Sequence, residues 1–168
     1  EVNYNYTEAN SWQYSFFVPH DITGLIELHG SKKQLEDKLD ELFTVNSKLE
    51  GRNQADITGL IGQYAHGNEP SHYMSFLYNM VDQPKKSQKM VNTILNKMYS
   101  TKPNGVVGNE DCGQMSSWYV LSSIGLFDVN PGDPYYLIQT PIFKEITLNL
   151  ENGNKFTIST NSDDPSYI

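Results

Sequence analysis

At Asn130-Pro131-Gly132 the spacing of apolar residues changes, and this change limits what the chain can fold into. Upstream, apolar side chains return every three to four positions, the repeat of an amphipathic helix. Val91, Ile94, Leu95 and Met98 recur in this way behind Pro84. Ser31 and Gln34 form a capping box ahead of Leu35, Leu39, Leu42 and Phe43, predicting a helix over 31–43. Met74, Leu77, Met80 and Val81 predict another over 70–82, Met115, Trp118 and Ser122 one over 113–124 that ends at Gly125, and a short helix is expected over 55–65. Residues 4–20 form a helix or extended segment closing at Val18-Pro19. Downstream, 135–140 and 145–151 read as strands, the second alternating Ile146, Leu148 and Leu150, and Asn152-Gly153 predicts a type I′ turn returning the chain as a strand over 155–159. The fold class is mainly α with C-terminal β.

Composition excludes several functions. The net charge is -8 and the pI about 4.8, with no basic stripe, so nucleic acid is not a partner. No apolar run approaches the ~20 residues of a membrane span. The single cysteine, Cys112, permits no internal disulfide. The 11 tyrosines and 2 tryptophans are a polar-aromatic excess, as found where sugars bind and also in ordinary cores. The chain starts at Glu1 in mid-pattern and stops at Ser166-Tyr167-Ile168, which reads as a piece of a longer polypeptide.

Two loops carry the chemistry. Residues 108–111 read Gly-Asn-Glu-Asp ahead of a helical run, and 67–69 read Gly-Asn-Glu ahead of Pro70. A carboxylate at a helix start either caps it or, kept ionised near the free N–H groups, serves as a metal ligand or general base. For Asp111 alone both readings stand. Two loops of the same build are harder to explain as capping twice over, and side-chain oxygens from paired loops suit a hard cation such as calcium. A third acid, Glu8, lies among Tyr4, Tyr6 and Trp12. An apolar surround would favour its protonated form, as a general acid requires, while a plain surface glutamate is the simpler reading.

The segments VPHD (18–21), GNEPSH (67–72) and GNEDCGQMSSWYVLSSIGLF (108–127) together resemble glycoside hydrolase family 92, and YTEANSWQY (6–14) and the tail 135–158 fit the same family. These are calcium-dependent, exo-acting, inverting α-mannosidases. The resemblance implies that residues 1–127 are the C-terminal half of an (α/α)6 catalytic barrel and that 128–168 begin the β-structure after it. The family's N-terminal β-sandwich is absent from this chain, and the remaining N-terminal part of the enzyme would be its partner.

The resemblance also implies site roles: Asp111 as general base, Glu8 as general acid, Asn68, Glu69 and Asp111 around calcium, and Trp12, His66 and His72 lining the sugar site. The substrate would be a mannose-containing oligosaccharide, an N-glycan or mannan, met outside the cell, at its surface or in the periplasm. Some members carry a second aspartate where this chain has Asn109, so no alternative base stands there. Members selective for α-1,2 linkages tend to have His-Glu where this chain has His66-Gly67, and Gly67 removes a side chain that would contact the leaving sugar. Two readings compete with hydrolysis: a non-catalytic carbohydrate-binding fragment, and another (α/α)6 enzyme such as a polysaccharide lyase.

Overall fold

The structure, a computed structural model, describes residues 1–161; the end of the expected β segment, 162–168, lies outside the described residues. Helices α1 (Ser11–Tyr14), α2 (Ile22–Leu28), α3 (Lys32–Thr44), α4 (Leu77–Met80), α5 (Pro84–Met98) and α6 (Gln114–Ile124) are joined by three antiparallel strand pairs. These are β1 (Leu60–Ile61) with β2 (Tyr64–Ala65), β3 (Leu126–Phe127) with β4 (Leu137–Ile138), and β5 (Glu145–Asn149) with β6 (Lys155–Ser159).

The long amphipathic helices form where the apolar repeat places them. Ser31 caps α3 by accepting the Gln34 N–H at 3.2 Å, and Leu35, Leu39, Leu42 and Phe43 turn inward. Pro84 opens α5, whose Val91, Ile94, Leu95 and Met98 are buried. Gly125, at φ 80°, closes α6 in the left-handed conformation that glycine adopts without penalty. These faces meet in one core, where the rings of Phe76 and Phe127 stack at 3.8 Å. Each large apolar side chain buried there contributes roughly 1.5–3 kcal/mol, enough to hold one-turn helices that would not persist alone.

Other segments depart from expectation. Residues 55–65 form no helix; they hold the β1–β2 hairpin instead, because Gly59 and Gly62 sit at φ 66° and 60° and break the helical repeat. Residues 70–82 do not run as one helix. The 3-10 turns Glu69–Ser71 and Met74–Phe76 precede α4, although Met74 and Leu77 are fully buried as expected. Helix α2, not expected above although Ile22, Leu25 and Ile26 repeat at helical spacing, is capped by Asp21, which accepts the Gly24 N–H at 2.8 Å. The turn between β5 and β6 is not type I′. That turn needs positive φ at both central residues, and here only Gly153, at 82°, has it. The strand expected over 135–140 shortens to Leu137–Ile138. Mixed helix with small sheets is therefore the observed class.

Candidate active site

The two Gly-Asn-Glu loops meet through their glycines. Gly67 and Gly108 pack backbone against backbone, so a Cβ on Gly108 would overlap the Gly67 α-carbon. A Cβ on Gly67 would drive into the Thr58 hydroxyl and lie 3.1 Å from the Gly108 α-carbon. The missing side chain at Gly67 therefore leaves no empty space: Thr58 and Gly108 fill it. Across this contact the Asn109 N–H donates to the Gly67 carbonyl at 3.2 Å, and Asn109 Nδ2 donates to Asn68 Oδ1 at 3.0 Å.

Asn68 extends the chain of bonds to the third segment. Its Nδ2 donates to the Glu8 backbone carbonyl at 3.2 Å and to Glu8 Oε2 at 3.1 Å. Glu8 stands at φ 51°, a left-handed conformation uncommon outside glycine. The two hydrogen bonds from Asn68 hold that turn and aim the carboxyl at the 67–69 loop. Glu8 is half-buried.

Of the two acids ahead of α6, Glu110 caps the helix and Asp111 does not. Glu110 Oε1 accepts the Ser116 N–H at 3.2 Å, satisfying one of the free donors of the first turn. Asp111 is exposed, and among the described residues its carboxylate has no hydrogen-bond or ion-pair partner. Cys112 and Gly113, at φ 52° and 83°, turn the chain sharply between Asp111 and the helix.

The two expected sugar-site histidines are internal. His66 has no exposed surface, and both its ring nitrogens are bonded, to Tyr64 Oη and Tyr99 Oη at 2.7 Å each. Tyr99 gives its own proton to the Met115 carbonyl at 3.0 Å, so His66 Nε2–H donates to Tyr99 and Nδ1 accepts from Tyr64. Burial pushes the His66 ring down to about 2, with the neighbouring His72 adding to the effect, and the ring stays neutral. This departs from a sugar-lining role, since the ring has neither surface nor a free nitrogen to offer a ligand. His72 is also buried, which lowers its pKa; its Nε2–H donates to the His66 carbonyl at 2.9 Å. Trp12, half-buried beneath the Lys38 ammonium, lines a cleft of about 290 Å³ with Asn10, Asn46 and Gln63. The lining of that cleft includes none of Glu8, Asn68 or Asp111.

Among the described residues no lysine or arginine pairs with Glu8, Glu69, Glu110 or Asp111, so these carboxylates are uncompensated. No three His, Cys, Asp or Glu side chains among the described residues gather into one cluster. The available donors are hard oxygens, the amides of Asn68 and Asn109 and the carboxylates of Glu69 and Asp111. That chemistry fits calcium, and part of the coordination shell would have to come from elsewhere.

The catalytic-domain model of glycosyl hydrolase family 92 matches residues 1–168. The chain belongs to glycosyl hydrolase family 92. A family GH92 α-mannosidase from Bacteroides thetaiotaomicron, solved in complex with mannoimidazole, superposes with a TM-score of 0.84 at 39% identity, over 94% of this chain and 20% of its own. A family GH92 inverting mannosidase from the same organism superposes with a TM-score of 0.77 at 35% identity, over 95% of this chain and 23% of its own. A protein described as an uncharacterized secreted glycosidase, from Arthroderma benhamiae, is 33% identical over 141 residues, 84% of this chain and 16% of that protein. The GH92 chain thus spans about a fifth of the length of these relatives.

Four contributors to this GH92 segment are not evident from residue type. Asn109 ties the loops together, Tyr64 and Tyr99 fix the His66 tautomer, and Gln114 Nε2 donates to His72 Nδ1 at 3.0 Å. The available signal is the repetition itself: Asn68 and Asn109 occupy the same place in their Gly-Asn-Glu triplets.

Proposed function

We propose that this chain is the part of an exo-acting α-mannosidase that supplies both catalytic carboxyls, with Glu8 as general acid and Asp111 as general base. The observation that carries the reading is the bond chain Glu8–Asn68–Asn109, which gathers the acid's segment and the base's loop around one asparagine. In this reading Glu8 protonates the glycosidic oxygen as the bond breaks. Asp111, exposed and not used in capping, takes a proton from water attacking the opposite face of the sugar. The product is inverted, which requires the two carboxyls to stand roughly 6.5–9.5 Å apart with that water between them. Asn68, Glu69 and Asp111 would hold calcium, which when bound would act as a Lewis acid and template for the mannose hydroxyls. Trp12, His66 and His72 take part from behind this surface or beside it.

The reading extends to the rest of the molecule. Residues 1–127 belong to the C-terminal half of an (α/α)6 barrel, and 128 onward begins a following β-structure. The remaining N-terminal part of the polypeptide completes the sugar site. The substrate is terminal mannose on an N-glycan or mannan, met outside the cell, in keeping with the secreted description of the fungal relative.

The test uses the full-length enzyme. Glu8→Gln should cripple hydrolysis of natural mannosides yet act more mildly on an aryl mannoside, whose leaving group needs little protonation. Equal loss on both substrates would remove Glu8 from the acid's role. Proton NMR of the first-formed sugar should show β-mannose, and α-mannose would overturn inversion.

A further inference from the structure

Among the described residues the Asp111 carboxylate has no partner, so its position is set by its backbone, whose carbonyl accepts the Gln114 N–H, and by whatever anchors that backbone on either side. Upstream the anchor is Asn109, bonded to Gly67 and Asn68 of the other loop. Glu110 does not serve, because its bond to Ser116 stays within its own loop and helix. Downstream, residues 112 and 113 both take positive φ and make no such tie, and the next residue is Gln114, the first of α6.

Gln114 Nε2 donates at 3.0 Å to Nδ1 of His72, which lies in the loop that carries Asn68 and Glu69. The His72 ring must carry its proton on Nε2, because that nitrogen donates to the His66 carbonyl, an acceptor only. Nδ1 therefore presents a lone pair to Gln114. The His72 backbone N–H donates to the Glu69 carbonyl at 3.0 Å, so His72 is held to the expected calcium loop by its backbone as well as by its ring. One helical turn further on, Trp118 Nε1 donates to the His72 carbonyl at 2.9 Å. This second bond keeps α6 docked when Gln114 is altered.

We propose that Gln114 is a positioning residue: through His72 it sets where Asp111 stands relative to Asn68 and Glu69. The proposal rests on Asp111 being the base. Without the Gln114 amide the first turn of α6, whose Gln114 N–H holds the Asp111 carbonyl, is tied to the other loop only one turn further on, through Trp118, so Asp111 gains freedom while the helix stays docked. A base displaced by about an ångström costs on the order of 10²-fold in rate.

The test is Gln114→Met in the full-length enzyme, which keeps the length of the side chain and removes its donor. Turnover of an aryl mannoside should fall about ten- to a hundredfold with KM and Tm near wild type. Hydrogen exchange at amides 110–113 should accelerate at least tenfold. His72→Gln, which can keep the bond to the His66 carbonyl but offers nothing at the Nδ1 position, should reproduce the loss. The double variant should be no worse than either single one. His72→Asn, whose Oδ1 can replace Nδ1, should recover part of the turnover. Unchanged turnover and exchange in Gln114→Met would overturn the proposal, as would additive losses in the double variant. A wild-type enzyme without mannosidase activity would instead strike at the function proposed above, and the exchange data would still decide whether Gln114 orders the Asp111 loop.

Discussion

Asn109 and Asn68, the central residues of two identical Gly-Asn-Glu triplets separated by 41 positions, meet side chain to side chain at 3.0 Å. Asn68 in turn holds Glu8, 60 positions earlier, so one amide links three segments of the candidate site. Removing it should disconnect them without opening the core. In the full-length enzyme, Asn68→Ala should weaken calcium affinity at least tenfold by titration calorimetry while leaving the far-ultraviolet spectrum unchanged. Wild-type affinity in that variant would take Asn68 out of the metal site.

Chelation should abolish mannosidase activity and added calcium restore it. The uncompensated carboxylates of both loops motivate this expectation. Full activity after exhaustive chelation would leave those acids without a cation to serve.

The two neighbouring acids should separate cleanly. Asp111→Asn should lower turnover by about 10²–10⁴ with little change in Tm, because its carboxylate supports nothing in the fold. Glu110→Ala should cost about 1 kcal/mol of stability through the lost cap on Ser116, with the smaller effect on turnover. The reverse pattern would exchange their roles.

Gly108→Ala should destabilise the fold by about 1–3 kcal/mol, since the added carbon meets the Gly67 backbone and the position holds φ 74°. Thermal melts of the purified variant measure it. A neutral result would mean that the two loops can separate at little cost.

The His66 ring should remain neutral from pH 8 down to pH 4. Its folded-state pKa is pushed down to about 2, below the ordinary 6.5, so the unfolded chain binds the extra proton first. Stability from this group is complete above about pH 6.5 and falls as the pH drops towards 2, by about 1.4 kcal/mol per pH unit well inside that window. Ring nitrogen shifts that titrate near 6.5 would contradict the buried, doubly bonded placement.

Much of this architecture was legible in the sequence and some was not, for identifiable reasons. The faces of α3 and α5 and the glycine stop of α6 follow from periodicity and caps, which are local. The hairpin at 55–65 depends on Gly59 and Gly62 adopting left-handed backbone, Gly59 against His66 and Gly67 and Gly62 against α3, a tertiary matter. At the site, the carboxylates and the paired loops could be read as a set, but the division of labour could not. Which of Glu110 and Asp111 caps the helix turns on one bond to Ser116, and the retreat of His66 into the core turns on two tyrosines 35 residues apart.

The contact between Gly67 and Gly108 also fixes the distance between the two loops in a particular way. The spacing is set by α-carbons in van der Waals contact, not by opposite charges. Salt cannot screen such a contact, and pH cannot titrate it. The loops that carry Asn68 and Asp111 therefore keep one separation across ionic strengths and acidities that would loosen a salt-bridged joint, and the conditions that alter this site must act on its carboxylates and not on its frame.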